Sequence, residues 1–528
     1  MTEAREPPAS SDEAESSAEA LARQLRAPGF GKAQTRYTLS CWILLRGIGF
    51  IYLIGFLILA LQLRPLIGAR GLLPAADFLS WVERALGSRS AGFFRLPSLF
   101  WLGASDTAML LCAWLGVLLS ASVLAGFANA VVLFVLWALY LSFVHVGQVF
   151  YGYGWESLLC EAGFLAIFLA SPLDPRPLPA RSFAPVLVVI LFRWLTFRLM
   201  FGAGLIKIRG DQCWVELTCL VYHYETQPNP SPLSYYFHQL PLGVHKLGVL
   251  FNHLVELLAP FGVFGPRPLR LVSGGLIVAF QVTLILSGNL SFLNWLTLVV
   301  ALSCFDDGVF WRIFPASFRA RAAALERVQV ESRARRATLV TLAVVVAFLS
   351  LNPVVNLLSP RQAMNASFEP FQLVNTYGAF GSVSRERHEV VLEGTNDVEP
   401  SASTVWQAYE LPCKPSDLAR RPCLVTPYHY RLDWQMWFVQ FGGYESQPWL
   451  VHLVYQLLRG EPLALSMFER NPFPGRPPRF VRAALYHYWF TRPGEPGYWH
   501  REYLGDALRP FSRDDPELAD YVRRHRWR

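Results

Sequence analysis

"GAGLIKIRGDQCW", residues 202 to 214, closes the apolar run 183–206 and then turns polar. Lys207, Arg209 and Asp211 arrive at alternate positions, with Cys213 and Trp214 just behind. A helix crosses a bilayer core with about 20 apolar residues. The run is therefore read as a membrane span, and the charges mark its exit. At such an exit Lys207 and Arg209 reach back toward water while Trp214 sits at headgroup level. A lysine held partly buried there would have a second use, as a general base.

Composition agrees with a membrane chain. Of 528 residues 53% are hydrophobic, 14% aromatic and 16% charged, and the mean hydropathy is +0.29, above the usual soluble range. The formal net charge of +8 is spread over short loops between apolar runs, a pattern that sets membrane orientation and argues against nucleic-acid binding. Nine runs suit a bilayer, at about 41–62, 107–126, 128–146, 158–172, 183–206, 247–265, 269–287, 291–304 and 338–358. Residues 1–36 are polar and are expected to form a disordered cytoplasmic tail. A multi-span helical membrane domain is expected over 37–358, and a soluble α+β domain over 359–528. Within the latter, "HEVVLEGT" alternates as a half-buried strand does, 449–470 reads as a helix broken near Gly460 and Pro462, and 479–490 as a strand or short helix.

The arginines of the 305–337 loop and those before the first span place both on the cytoplasmic side. Arg64, Arg70, Arg84, Arg89 and Arg95 of the 63–104 loop oppose that arrangement. Cys41, Cys112, Cys160 and Cys304 lie in or beside spans, whereas Cys213, Cys219, Cys413 and Cys423 fall on the non-cytoplasmic side, where disulfides form. Cys213 with Cys219 and Cys413 with Cys423 are the natural local pairs, and cross-pairing is equally allowed. The sequons at Asn289 and Asn365 lie on the same side and are candidate glycosylation sites, while proline blocks that at Asn229.

Ionisable groups within spans are costly, and so are paired or functional. They include Glu161, Arg193, Arg198, His253 and Glu256, together with Arg46 and His145. Glu161 and Glu256 are sensible partners for the two arginines, giving either an ion-pair network that fixes packing or a proton path. His223, Glu225, His238 and His245 near Cys213 lack the tight spacing of a zinc site, so no metal is expected. Nucleophile-elbow, P-loop and dinucleotide fingerprints are absent from the sequence, and no cofactor is implied.

"GAGLIKIRGDQCWVELTCLVYHYETQPNPSPLSYYFH" (202–238) closely resembles the signature of the lipase maturation factor family. So do "GWESLLCEAGFLAIFL" (154–169), "SGNLSFLNWLT" (287–297), "CFDD" (304–307), "VNTYGAFGSV" (374–383) and "RRPCLVTPYHYRLDWQMWF" (420–438). The resemblance implies a multi-pass protein of the endoplasmic reticulum membrane with a lumenal C-terminal domain. It would help secreted, homodimeric lipases fold into active enzyme, as a chaperone-like factor rather than an enzyme. A bacterial source would place it in the inner membrane with a periplasmic domain. Client contact would then fall to the C-terminal region, with Tyr428, Tyr430, Trp434 and Trp437 as candidates. The "GLIKIRGDQCW" run also looks like the lysine-bearing segment of the vitamin-K-dependent gamma-carboxylase, which would make Lys207 the base of a membrane enzyme.

Overall fold

The computed structural model describes residues 36–179, 184–328, 332–442, 447–525 and 527, so the expected N-terminal tail lies outside it apart from Arg36. Helix α1 spans Thr38–Ile67, and two short helices follow, α2 (Ala75–Leu86) and α3 (Arg89–Arg95). Then come α4 (Asp106–Ala125), α5 (Ala130–Val146), α6 (Gly154–Leu169) and α7 (Val186–Gly210). Beyond the opening motif lie α8 (Cys219–Thr226), α9 (Pro232–His238), α10 (Leu242–His253), α11 (Arg267–Ser287) and α12 (Leu293–Ala301). Helices α13 (Ala316–Val328) and α14 (Arg333–Leu349) complete the membrane part.

Among the described residues six helical stretches are long and apolar enough to cross a membrane: Thr38–Ile67, Asp106–Ala125, Val186–Gly210, Leu242–Gly262, Arg267–Ser287 and Arg333–Leu358. The other three expected spans are helical but shorter, at Ala130–Val146, Gly154–Leu169 and Leu293–Cys304. Burial explains α6, which carries Glu156 in its first turn and Glu161 at mid-helix, at 0% and 1% exposure. A helix enclosed by protein need not match the thickness of the lipid. Close contacts need small residues, as in other membrane bundles. A side chain on Gly163 of α6 would collide with the Tyr52 hydroxyl of α1, and one on Gly116 of α4 with the Phe56 ring.

The "CFDD" word ties the bundle together. Asp307 accepts the backbone N–H groups of Thr38, Leu39 and Ser40 at 2.9 to 3.0 Å. It thereby caps α1 from the far end of the domain, where a helix N-terminus welcomes negative charge. Asp306 receives Arg267 at 2.8 Å and Arg270 at 2.9 Å, both from the first turn of α11.

The C-terminal part is α+β. Strands β1 (Arg387–Thr395), β2 (Gln407–Ala408), β3 (Phe480–Phe490) and β4 (Trp499–Ser512) form one antiparallel sheet in the order β2-β1-β3-β4. Residues 480–490 are thus a strand, alternating buried and half-buried. Around the sheet lie α15 (Arg431–Phe438), α16 (Pro448–Arg459) and α17 (Pro516–His525). Helix α16 ends where expected, on Gly460 in the left-handed conformation at φ 66°, with Pro462 beginning the next turn.

Candidate functional site

The C-terminal part is sewn to the membrane helices by the same sequence words that carry the family resemblance. Glu161 of α6 pairs with Arg198 of α7, both almost fully buried. It also accepts the Tyr377 hydroxyl at 2.7 Å and the Asn375 backbone N–H at 2.9 Å. One turn earlier Glu156 receives Arg431 of α15 at 2.7 Å, and the Tyr140 hydroxyl donates to it as well. Asn289, Ser291 and Trp295 bind the segment before α15. Asn289 accepts the N–H groups of Val425 and Thr426 at 2.9 and 3.2 Å, Ser291 meets His429 at 2.7 Å, and Trp295 donates to Thr426 at 3.0 Å. At the other side Trp214 donates to the Phe380 carbonyl at 2.9 Å, and Asp211 accepts Val383 N–H and Arg385.

Two disulfides flank this seam, Cys213–Cys219 and Cys413–Cys423. The second loop is held by Asp433, which accepts the Cys413 N–H at 2.6 Å. Burial pushes that carboxyl up to about 7, against the lowering pull of the same N–H. Cys41, Cys112, Cys160 and Cys304 carry no disulfide.

Beneath α15 the seam lines a cavity of about 620 Å³. Its walls come from α7, α8, α10, α11, α12, the segment 377–382 and the end of α15. Lys207 lies in this wall at 4% exposure. Its Nζ donates to both carboxylate oxygens of Glu256 at 2.6 and 2.7 Å and to Asn252 at 2.9 Å. The ammonium also stands 5.1 Å from the centroid of the Trp214 ring. A π-turn at Leu254–Leu258, continuing α10, carries Glu256. The reading of Lys207 as an interfacial anchor is therefore corrected. Its charge is neutralised inside the protein, and Trp214, at 2% exposure, is buried rather than at headgroup level.

Polar groups without partners line the same cavity. Asn294 of α12 and His223 of α8, 3% and 6% exposed, make no side-chain hydrogen bond among the described residues. Gln281 of α11 has an unpaired Oε1, and its Nε2 meets only the Met200 sulfur, at 3.7 Å. Burial, then the Lys207 charge, pushes His223 down to about 4, so it is neutral at pH 7.

The expected intramembrane groups do not form one path. Arg198 pairs with Glu161 and Glu256 with Lys207, whereas Arg193 donates to the Ser303 carbonyl and the Tyr37 hydroxyl, both at 2.9 Å. His253 turns to the Trp214 carbonyl at 2.9 Å. Of the four aromatics, Trp434 is buried with its ring 4.8 Å from that of Trp155, and Tyr428 bonds Gln62 at 2.8 Å. Trp437 donates to the Thr226 carbonyl at 3.1 Å and lines the cavity, and Tyr430 is half-buried against Tyr428. The glycosylation expectation for Asn289 is also corrected. Its side chain is fully buried, and its Nδ2 donates to the Pro230 and Cys423 carbonyls at 3.1 and 2.8 Å, which leaves no room for a glycan. Asn365 is exposed. Asp211, Cys213 and Cys219 lie within 4.8 Å of one another, but a disulfide ties up both sulfurs.

Residues 39–312 match the lipase maturation factor transmembrane domain and residues 373–509 the lipase maturation factor C-terminal domain. Lipase maturation factor 1 of Bos taurus is 46% identical over 510 residues, which cover 92% of this chain and 91% of that protein. Lipase maturation factor 1 of Homo sapiens is 44% identical over 532 residues, covering 95% and 94%. Lipase maturation factor 2 of Homo sapiens is 31% identical over 607 residues, covering 91% and 84%. No solved structure matches. These relatives lend the carboxylase resemblance no support.

Proposed function

This chain belongs to the lipase maturation factor family, and from that premise we propose that it assists the folding and assembly of secreted, homodimeric lipases into active enzyme. The similarity to the maturation factors over both parts of the chain carries the reading. Its place is the endoplasmic reticulum membrane, with the C-terminal domain in the lumen. Two disulfides, Cys413–Cys423 within that domain and Cys213–Cys219 beside it, suit an oxidising compartment.

The C-terminal domain engages the client. Tyr430 and Trp437, half-buried, retain surface for contact, and Phe441 beyond them is 56% exposed. Trp434 and Tyr428 instead hold the domain on the membrane helices. Lys207, locked against Glu256, has a packing role.

The test is co-isolation of the full chain with a homodimeric lipase from cells making both. Inactive, unassembled lipase is expected with the wild type, and several-fold less with Tyr430→Ala combined with Trp437→Ala at equal protein level. Equal recovery with the double variant would remove these residues from the contact, and no lipase with either chain would remove the client reading.

A further inference from the structure

We propose that the cavity beneath α15 binds a neutral acyl lipid, whose ester or hydroxyl head meets His223, Gln281 and Asn294 and whose chain lies between α10 and α11. The inference stands apart from the lipase reading, because it rests on the cavity itself.

His223 and Asn294, which make no side-chain hydrogen bond among the described residues, and the unpaired Oε1 of Gln281 line one space, and buried polar groups are costly unless something completes their hydrogen bonds. Among them they offer amide donors, an amide acceptor and a neutral imidazole, which suit hydroxyl and ester oxygens. The head must be uncharged. Lys207 already spends its ammonium on Glu256 and Asn252, so a phosphate or carboxylate would find no free cation here, and His223 is neutral. A volume of about 620 Å³ falls in the range of sites that hold one small ligand, about 300 to 1,000 Å³. Its apolar wall includes Phe251, Phe280, Leu284 and Leu293, which suit an acyl chain.

One side of the rim faces lipid. Gly248 of α10 and Leu284 of α11 are half-buried there, and Thr283 is exposed. Beside them on the same helices Leu247, Leu250, Val282 and Leu286 are exposed, as lipid-facing residues are. On this side the cavity adjoins the apolar outer face of the bundle, and on the other the exposed lining residues Met364, Ser382 and Phe441 open it beside the C-terminal part.

The test uses the purified full chain in detergent with a monoacylglycerol carrying a photoreactive group on its acyl chain. Label is expected within 248–256 and 280–297, displaced by unlabelled monoacylglycerol but not by equal phosphatidic acid or free fatty acid. Gln281→Leu with Asn294→Leu should lower capture roughly tenfold, with gel-filtration behaviour and disulfides unchanged. If that variant fails to fold, Leu284→Trp, which narrows the rim, should lower capture instead. Undisplaced label spread over the outer faces would overturn the proposal. So would equal displacement by phosphatidic acid, or capture by the folded variants equal to wild type.

Discussion

Tyr377 donates its hydroxyl to Glu161 at 2.7 Å, joining the start of the C-terminal part to the middle of a buried membrane helix. The same carboxylate holds Arg198 and the Asn375 N–H, so one side chain anchors two helices and the incoming chain. Removing one partner of a buried ion pair strands the other charge, at about 3 to 5 kcal/mol. Glu161→Ala should therefore expose the 360–386 segment to limited proteolysis and lower thermal stability by that order. Tyr377→Phe should cost about 1 to 3 kcal/mol. Unchanged cleavage and melting in Glu161→Ala would show that the seam does not depend on this carboxylate.

Lys207 and Glu256 test whether the signature lysine acts by packing or by chemistry. Lys207→Ala leaves a buried carboxylate without its cation and should destabilise the fold by about 3 to 5 kcal/mol, seen as a sharp fall in protein yield and melting temperature. Lys207→Met with Glu256→Leu removes both charges and should recover most of that loss. A Lys207→Ala protein of wild-type stability would contradict the packing role.

Asn289 and Asn365 separate by accessibility. In cells with a glycosylating secretory pathway, Asn365→Gln should abolish the endoglycosidase-sensitive mass, whereas Asn289→Gln should leave it and instead destabilise the Cys413–Cys423 loop. Loss of mass only with Asn289→Gln would refute the burial described above.

His223 and His452 give the protein an acid sensitivity. Both lie outside the spanning helices, and burial pushes each down to about 4, with His452 also bonded to the Leu72 carbonyl. For a base whose folded pKa is depressed, stability is full above the unfolded value of 6.5 and is lost as pH falls toward 4. His452 alone accounts for about 3 kcal/mol over that window. Melting temperature should fall between pH 6.5 and 4, and less steeply in His452→Gln. Equal slopes would exclude His452 as the source.

The membrane class was legible because apolar runs long enough to cross a bilayer are a one-dimensional signal, as 183–206 illustrates. The "HEVVLEGT" run likewise marked β1, although that strand is buried along nearly its whole length rather than on one face, and Gly460 with Pro462 marked the end of α16. The seam was not legible. Glu156 stood just outside the expected fourth span, and Asn375 and Tyr377 look like ordinary loop residues, because their importance lies in partners some 214 to 275 positions away. Lys207 looked interfacial for the same reason: only folding brings α10 and its π-turn over the end of α7. The quoted family words were a real signal of these contacts, since nearly all of them meet at the seam or its cavity.

Secretion of active lipase tests the central claim most directly, in cells lacking their own maturation factor and supplied with a homodimeric lipase. The intact chain is predicted to raise lipase activity per secreted lipase molecule, and Glu161→Ala, with its seam loosened, to raise it far less. No rise with the intact chain, present at normal level with both disulfides formed, would contradict a maturation role for this client class.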